Sequence, residues 1–460
     1  MPDPHFSDLI LPQNEQPSMS QLLASLKRTT LSVHNRLASI HQDAAFVACV
    51  AAAYGLQRPL IANERCGSWY IPPKDKAAGV YFKSTDGHDR AWKFSTRRLN
   101  LHLIEMVEKN DGVIIVDSTR RGKRMPDALS TTLPIWCTVL NLALLPSHPS
   151  SPTLHLPPFL PPSAHAQITA LLPQFLASLQ ALNLQLPTCL TKPLRPVWVT
   201  PESSLPEADG ASTSIFDDYR PVICCTASRR VIGSEMDEGG YVQGAGDDTE
   251  NWACGLTPTV FWKHLEQLLA ASEADLPDLI TQLVSDHDAD KRDHDGPRKE
   301  LTPHISVCPL PLPMASATPT RCHIALTPEV TSKESWIKSP TYLHVGLGKS
   351  KAASRNMRTS LPDICAFAAK FLAQQSDGDS PRKIIIACES GKDLSVGTAL
   401  AISCYLFDEN GNFRQPGPDT SFTKTLVKSR LGSIMTAYPE ANPSRSTLQS
   451  VNSFLMDWRK

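Results

Sequence analysis

Residues Ile384–Phe407 read IIIACESGKDLSVGTALAISCYLF, and the order of their parts decides what the C-terminal portion of the chain is. Ile384, Ile385 and Ile386 are adjacent β-branched residues, which suits a strand covered on both faces. The run from Val396 to Phe407 carries almost no charge and reads as a buried helix. A strand that turns through so short a loop into a helix aims backbone N–H groups at the space before the helix's positive end. The loop is therefore an anion cradle. Cys388 is its candidate reactive thiol, and Ser390, Gly391, Lys392, Leu394 and Ser395 are its lining. Asp393 stands at the mouth, where a carboxylate repels phosphate unless it serves a metal or accepts a proton.

Cysteine-dependent phosphatases begin such a loop with Cys, place Arg six residues later, and follow it with Ser or Thr. Here Cys388 and Ser395 keep those places, Leu394 stands at the Arg position, and Ala387 stands where those enzymes usually carry His. Without a fixed guanidinium on the transferring phosphoryl group, hydrolysis loses a main electrostatic contributor. The loop is thus predicted to bind phosphate for another purpose. Upstream come a strand (YLHVGL), a basic loop with Lys349, Lys351, Arg355 and Arg358, and a helix over Leu361–Gln374. That order resembles the back half of a dual-specificity phosphatase domain. Residues 340–460 are accordingly predicted to form a C-terminal α/β domain.

A chain of 460 residues has room for two or three domains. Its net charge of −1 gives no general affinity for polyanions, so nucleic-acid contacts must come from local clusters. Such clusters occur at Arg97–Arg98, Arg120–Arg124, Arg229–Arg230 and 349–358. Twelve cysteines without a CxxC pair form neither a disulfide framework nor a zinc site, so a reduced, intracellular chain is expected. The first residues lack a secretory signal, and the longest apolar run, Leu133–Leu145, is too short to span a bilayer. A soluble cytoplasmic protein with no membrane association follows. Ser18–Tyr54 has helical spacing for two helices, and seven prolines between Pro146 and Pro162 make a stiff connector. A helix is expected from Thr257–Pro258, its N-cap and first turn, to Leu269 or beyond. Residues 1–325 are read as an N-terminal domain, with 285–320, rich in Asp, His, Pro and Lys, as a flexible insertion or linker.

Two further segments carry chemistry. In GVIIVDSTRRGKRMPDALSTT (112–132) a buried strand ends in Asp117 and feeds Arg120, Arg121, Lys123 and Arg124, which places cations at the carboxyl end of a strand, where ligands of α/β sheets sit. It weakly echoes the strand of type I phosphoribosyltransferases. In GGYVQGAGDDTENWACGLTP (239–258) glycines allow close approach to a ligand, and Asp247 and Asp248 join Asp117 as candidate Mg²⁺ ligands. No G-x-G-x-x-G or G-x-x-x-x-G-K-[ST] occurs.

Taken together, STRRGKRMPDALSTTLPIW, LPPFLPPSAH, YVQGAGDDTENWACGLTP, HVGLGKSKAASRNMRTSLP and CESGKDLSVGTAL resemble the motifs of fungal and plant initiator-tRNA phosphoribosyltransferases. The likeness runs from about residue 20 to the end. It implies a family-specific N-terminal α/β region plus a phosphatase-like domain without the catalytic Arg. It implies a cytoplasmic enzyme that moves ribosyl phosphate from 5-phosphoribosyl 1-pyrophosphate (PRPP) to the 2′-hydroxyl of a T-stem purine, position 64, of initiator methionine tRNA, marking it against elongation. No obligate protein partner is implied. On this reading Arg120, Arg121, Lys123 and Arg124 neutralise the pyrophosphate with Mg²⁺ held by Asp117, Asp247 and Asp248. The Cys388–Ser395 loop with Lys349, Lys351 and Arg355 binds substrate, Asp393 accepts the 2′-hydroxyl proton, and the site lies between the domains. A phosphatase-like hydrolase and a non-catalytic tRNA-binding adaptor are the alternatives.

Overall fold

The computed structural model describes residues 32–55, 57–84, 91–206, 216–234, 236–292, 298–312, 318–374, 382–417 and 420–457. The fold is α/β, built on two separate sheets. The first contains β1 Leu60–Asn63, β2 Lys76–Val80, β3 Val113–Asp117, β4 Leu194–Val199 and β5 Arg220–Thr226. Their order is β2-β1-β3-β5-β4, and every neighbouring pair is parallel. All five carboxyl ends therefore share one edge. The chain leaves β1 for one side and later enters β3 on the other, so the gap between β1 and β3 is the switch point at which such sheets open a crevice.

Strand β3 is central because its apolar run satisfies both faces. Ile114 and Val116 pack with Leu37, Ile40, Trp69 and Phe261, whereas Val113 and Ile115 pack with Ile104, Leu133, Leu140 and Ile168. All four strand side chains are fully buried, each contributing about 2 kcal/mol by removal from water. Helix Val33–Ala53 covers the first face, and helices His102–Lys109, Leu133–Leu144 and Pro162–Gln180 cover the second.

The second sheet contains β6 Lys299–Thr302, β7 Ile305–Pro309, β8 Arg321–Thr327, β9 Ile337–Ser339, β10 Tyr342–Gly346 and β11 Lys383–Cys388, in the order β6-β7-β11-β8-β10-β9. Its inner four strands are parallel, and β6 and β9 pair antiparallel at the edges. Ile384 and Ile386 enter the large core shared with helices Ser350–Leu372, Leu394–Leu406, Lys424–Ala437 and Arg445–Asp457. Ile385 faces the other way, toward Cys308, Ala325 and Tyr342, so the isoleucine triplet is covered on both faces as expected.

Several expectations are corrected. The stretch 285–320 holds the end of helix Leu276–Arg292 and strands β6 and β7, so the second sheet begins at Lys299 and a boundary at 325 cuts through β8. The edge strand β6 is short and charged, and the inner strand β7 has its apolar run broken by Ser306, so neither announces itself. The basic residues 350–358 are helical, because the helix starts at Ser350 and carries Pro362 within it rather than at its first turn. Thr257 does cap a helix, accepting from Val260 N, but that helix ends at Lys263 and a second runs Leu265–Ala270. Of the two helices expected over Ser18–Tyr54, one is Val33–Ala53 and the remainder lies outside the described residues. No disulfide joins the twelve cysteines, and no described helix is long and apolar enough to cross a membrane.

At the opposite edge of the first sheet, Arg220 donates from Nε and Nη2 to Glu108 at 3.0 and 2.5 Å and from Nη1 to Asp111 at 2.8 Å. The hydrogen bonds from Arg220, aided by Thr191, hold the Glu108 carboxyl down to about 2 from an ordinary 4.5. A depressed carboxyl contributes stability that is present above its unfolded pKa and lost as pH falls toward the folded one. Glu108→Gln is therefore expected to cost about 1–2 kcal/mol near neutrality after solvent screening. The same variant should flatten the decline in stability between roughly pH 4.5 and 2, as read by urea unfolding across pH.

Candidate active site

The switch point of the first sheet is filled by a buried charge cluster. Asp117, fully buried at the end of β3, accepts from Asn63 Nδ2 at 2.8 Å, Cys66 Sγ at 3.0 Å and Ser118 N at 2.8 Å. Arg65, just past β1, reaches Asp117 at 3.4 Å and Asp247 at 3.3 Å, and donates to Ser118 O at 2.6 Å. One guanidinium thus bridges two carboxylates from loops far apart in sequence. Burial raises the Asp247 carboxyl, Arg65 pulls it back and Asp117 adds to the rise. Burial and the two carboxylates push the Cys66 thiol well up, so it stays protonated and donates.

Close approaches fix the loops around this cluster. A Cβ on Gly67 would sit 2.2 Å from Val116 O, so only glycine lets Gly67–Tyr70 lie against β3. Gly244, at φ +68°, would bring a Cβ to 2.6 Å from Thr119 O. Ser228 Oγ accepts from Thr119 N at 3.1 Å and donates to Thr119 O at 2.9 Å. Gln243 accepts from Gly122 N at 3.0 Å and Val231 N at 2.9 Å and donates to Lys123 O at 2.8 Å. The basic loop and the glycine loop, separate in the sequence, are therefore one structural unit.

This arrangement does not fit a resident three-carboxylate Mg²⁺ site. Asp117 has its oxygens occupied by protein donors, Asp247 faces Arg65, and Asp248 pairs with Arg120 on the surface. Among the described residues no group of three His, Cys, Asp or Glu side chains is placed to hold a metal. Lys123 pairs with Asp127 at 3.5 Å, Arg121 has φ +56°, and Arg124 stacks at 5.8 Å over Phe159 and lines a 520 Å³ cavity with Trp198, Thr200 and Arg230.

The cysteine loop has the expected order of strand, turn and helix. Cys388, buried at the end of β11, donates to Ser395 Oγ at 3.2 Å, and Ser390 Oγ accepts from Lys392 N at 3.1 Å. Gly391, at φ +67°, approaches so closely that a Cβ would lie 2.6 Å from Pro309 N. The charged members turn elsewhere. Lys392 pairs with Glu440 at 2.7 Å. Asp393, expected to serve as a base, accepts on Oδ1 from Ser444 N at 2.8 Å and Thr447 Oγ1 at 2.6 Å, so it caps the start of helix Arg445–Asp457. Leu394 packs against the C-terminal core. Lys349 follows β10 at the same sheet edge as Cys388, two strand spacings away, or about 10 Å. Lys349 and Arg355 are exposed, and the Lys351 side chain lies outside those described.

The two units meet beside this loop. Arg98 donates to Ala441 O at 2.7 Å and to Asn442 Oδ1, Arg97 donates to Pro443 O, and Ser429 Oγ donates to Leu182 O at 2.7 Å. A 390 Å³ cavity between the units is lined by Glu64, Lys76 and Arg98 on one side and by Lys392, Glu440 and Asn442 on the other. The meeting of the units therefore runs through the β1 loop next to Arg65, and that cavity's lining includes none of Arg120–Arg124. Sequence reading passed over Arg65, Cys66 and Tyr70. The signal was present in the short apolar run LIAN followed by Glu64 and Arg65, a strand end of the same kind as Val113–Asp117. Arg65→Gln should destabilise the protein by about 3–5 kcal/mol by leaving two buried carboxylates uncompensated. Adding Asp247→Asn should restore part of that loss, and equal urea midpoints for single and double variants would remove the like-charge explanation.

Comparison with known proteins agrees with the two-unit layout. The model described as the Rit1 N-terminal domain matches residues 26–285, and the Rit1 DUSP-like domain model matches residues 341–455. The chain is 34% identical over 503 aligned positions to the tRNA A64-2′-O-ribosylphosphate transferase of Saccharomyces cerevisiae, covering 98% of this chain and 97% of that one. It is 37% identical over 448 positions to an uncharacterized protein of Schizosaccharomyces pombe, covering 92% and 94%. No solved structure matches. With a family model over more than half its length and end-to-end relatives above 30% identity, the chain belongs to the Rit1 family.

Proposed function

We propose that this protein is a pentosyltransferase that moves 5-phosphoribosyl from PRPP to the 2′-hydroxyl of position 64 of initiator methionine tRNA in the cytoplasm. The observation that carries the reading is the end-to-end relationship to a tRNA A64-2′-O-ribosylphosphate transferase. The parallel sheet supports it, since its carboxyl edge at the β1/β3 switch point is where α/β folds bind phosphorylated ligands.

In the transfer, the 2′-oxygen forms a bond to the anomeric carbon, and the bond from that carbon to pyrophosphate breaks. The hydroxyl proton leaves for a phosphate oxygen of the departing group. Positive charge develops on the sugar and negative charge on the pyrophosphate, so fixed cations help most beside the latter. Arg120, Arg121, Lys123 and Arg124 take that task on this reading, supported by the bonds from Ser228, Arg230 and Gln243 that hold the backbone of Thr119, Gly122 and Lys123 in the loop that carries them. Mg²⁺ belongs to this reading as a companion of the donor's phosphates rather than as a resident of an acidic triad. The cysteine loop supplies backbone donors, with the thiol tied to Ser395.

The test is transfer of label from PRPP to bulk tRNA, followed by mapping of the modified nucleotide. Label in initiator tRNA at position 64 is expected, and tRNA binding without transfer would leave only the adaptor. Cys388→Ser should keep most of the transfer activity, because a hydroxyl replaces the thiol's bond to Ser395, and no Cys388-dependent p-nitrophenyl phosphate turnover should appear. Lys123→Glu should raise the PRPP KM by about tenfold, the effect of losing roughly 1.4 kcal/mol, with little change in the unfolding midpoint.

A further inference from the structure

Two cavities run along the seam between the units, outside the clusters at Asp117 and Cys388. One, of 300 Å³, is lined by Lys83, Lys93, Arg97, Arg98 and Arg445 together with the aromatic rings of Tyr81, Phe94 and Trp136. The other, of 530 Å³, is lined by Lys424 and Lys428 and again by Arg97 and Arg445. The shared residues make them adjoining parts of one groove. Seven cations line it and no Asp or Glu does, in a protein whose net charge is −1.

Arg97 and Arg98 hold residues 441–443 of the other unit, but such folding contacts do not account for the remaining cations. Lys424 and Arg445 are the first residues of their helices, positions where the helix dipole disfavours positive charge, and Lys428 lies one turn on from Lys424. Arg97 and Arg98 stand side by side, partly buried, and Arg97 Nε has no hydrogen-bond partner. Burial and the neighbouring Arg97 lower Arg98 to about 10, so both remain cationic and repel each other at neutral pH. A seam groove lined by seven cations and no carboxylate favours an anion from outside the chain.

Resting on the tRNA-modifying reading above, we propose that this groove is the docking track for the phosphate backbone of the RNA acceptor. An extended row of cations over two joined cavities fits successive phosphates better than one compact donor. A-form RNA is gripped through phosphates and shape rather than base edges. The track also reaches the cysteine loop. Ser444, which lines the first cavity, donates its N–H to Asp393, and Thr447 donates to the same oxygen. Asp393 is thereby a positioning residue that fixes the helix carrying Arg445.

The test uses full-length protein and tRNA, with affinity measured by fluorescence anisotropy across a salt series. Lys424 and Lys428 are exposed, so Lys424→Ala with Lys428→Ala should leave folding intact. The pair should weaken tRNA binding by about tenfold and make the log–log salt dependence shallower by roughly 2, and Arg445→Ala alone should do so by roughly 1. A charge-matched control, Lys109→Ala with Lys338→Ala on exposed sites elsewhere, should shift affinity by less than about twofold. An unchanged slope in the groove variants, or equal weakening by the control pair, would overturn the assignment. Inorganic pyrophosphate that displaces tRNA from the wild type but not from the groove variant, at fixed ionic strength, would make the groove a donor site and also overturn it. Groove-dependent tRNA binding by a wild type that transfers no label would instead refute the transferase reading and leave the groove standing.

Discussion

Asp117 and Asp247 are brought together out of water, and Arg65 is the cation that makes this tolerable. Burial alone lowers a guanidinium's pKa, but the facing carboxylates of Asp117 and Asp247 raise that of Arg65. Each of the three comes from a different part of the chain: Arg65 follows β1, Asp117 ends β3, and Asp247 lies in the glycine loop. Their pairing therefore fixes how those segments stand at the switch point. Removing one partner of such a cluster leaves a charge that the interior does not solvate, so the cluster behaves as a unit. The backbone of Thr119–Lys123 continues from this cluster, which Arg65 grips at Ser118 O, and is then held by Ser228 and Gln243.

The same interaction explains why three acids that read as metal ligands do not act as a set. A carboxylate with every oxygen engaged by N–H and S–H donors has little to offer a hydrated Mg²⁺, which demands near-octahedral geometry and sheds water reluctantly. Asp248 alone of the three is surface-placed, and it answers Arg120. The acidic residues of this sheet edge are counter-ions that hold cations in place. A protein that handles a polyanionic donor benefits from cations whose positions are fixed before the ligand arrives.

Much of this was legible in the sequence, for identifiable reasons. Ile384–Ile386 and Val113–Val116 announce buried parallel strands because β-branched residues run without a polar break, and Cys388–Ser395 follows as a loop into an apolar helix. The edge strand at 299–302 was hidden because it is short and charged, the inner strand Ile305–Pro309 because Ser306 breaks its apolar run and it ends in proline, and the helix at 350 was shortened because Pro362 resembles a helix start. Arg65 was hidden for a deeper reason. A lone cation acquires meaning only through the two carboxylates that the fold brings to it, and no local pattern records that meeting. Arg97 and Arg98 stood out as a pair, but their partners are backbone carbonyls and an amide more than 340 residues away.

The contacts of Asp393 show how the cysteine loop of the DUSP-like domain is tied to its surroundings. At the mouth of a hydrolytic cradle this carboxylate would oppose the ligand, yet here its Oδ1 is spent on Ser444 and Thr447. Lys392 O in turn accepts from Asn442 N at 2.8 Å, and Arg98 grips Asn442 and Ala441 from the other unit. The loop's rim, the start of the last helix and the N-terminal unit are thus joined through residues 441–447. A loop selected for catalysis must present its charges to the ligand. This one directs Lys392 and Asp393 sideways onto Glu440, Ser444 and Thr447 beside the seam, leaving its backbone N–H groups as what it has to offer a ligand.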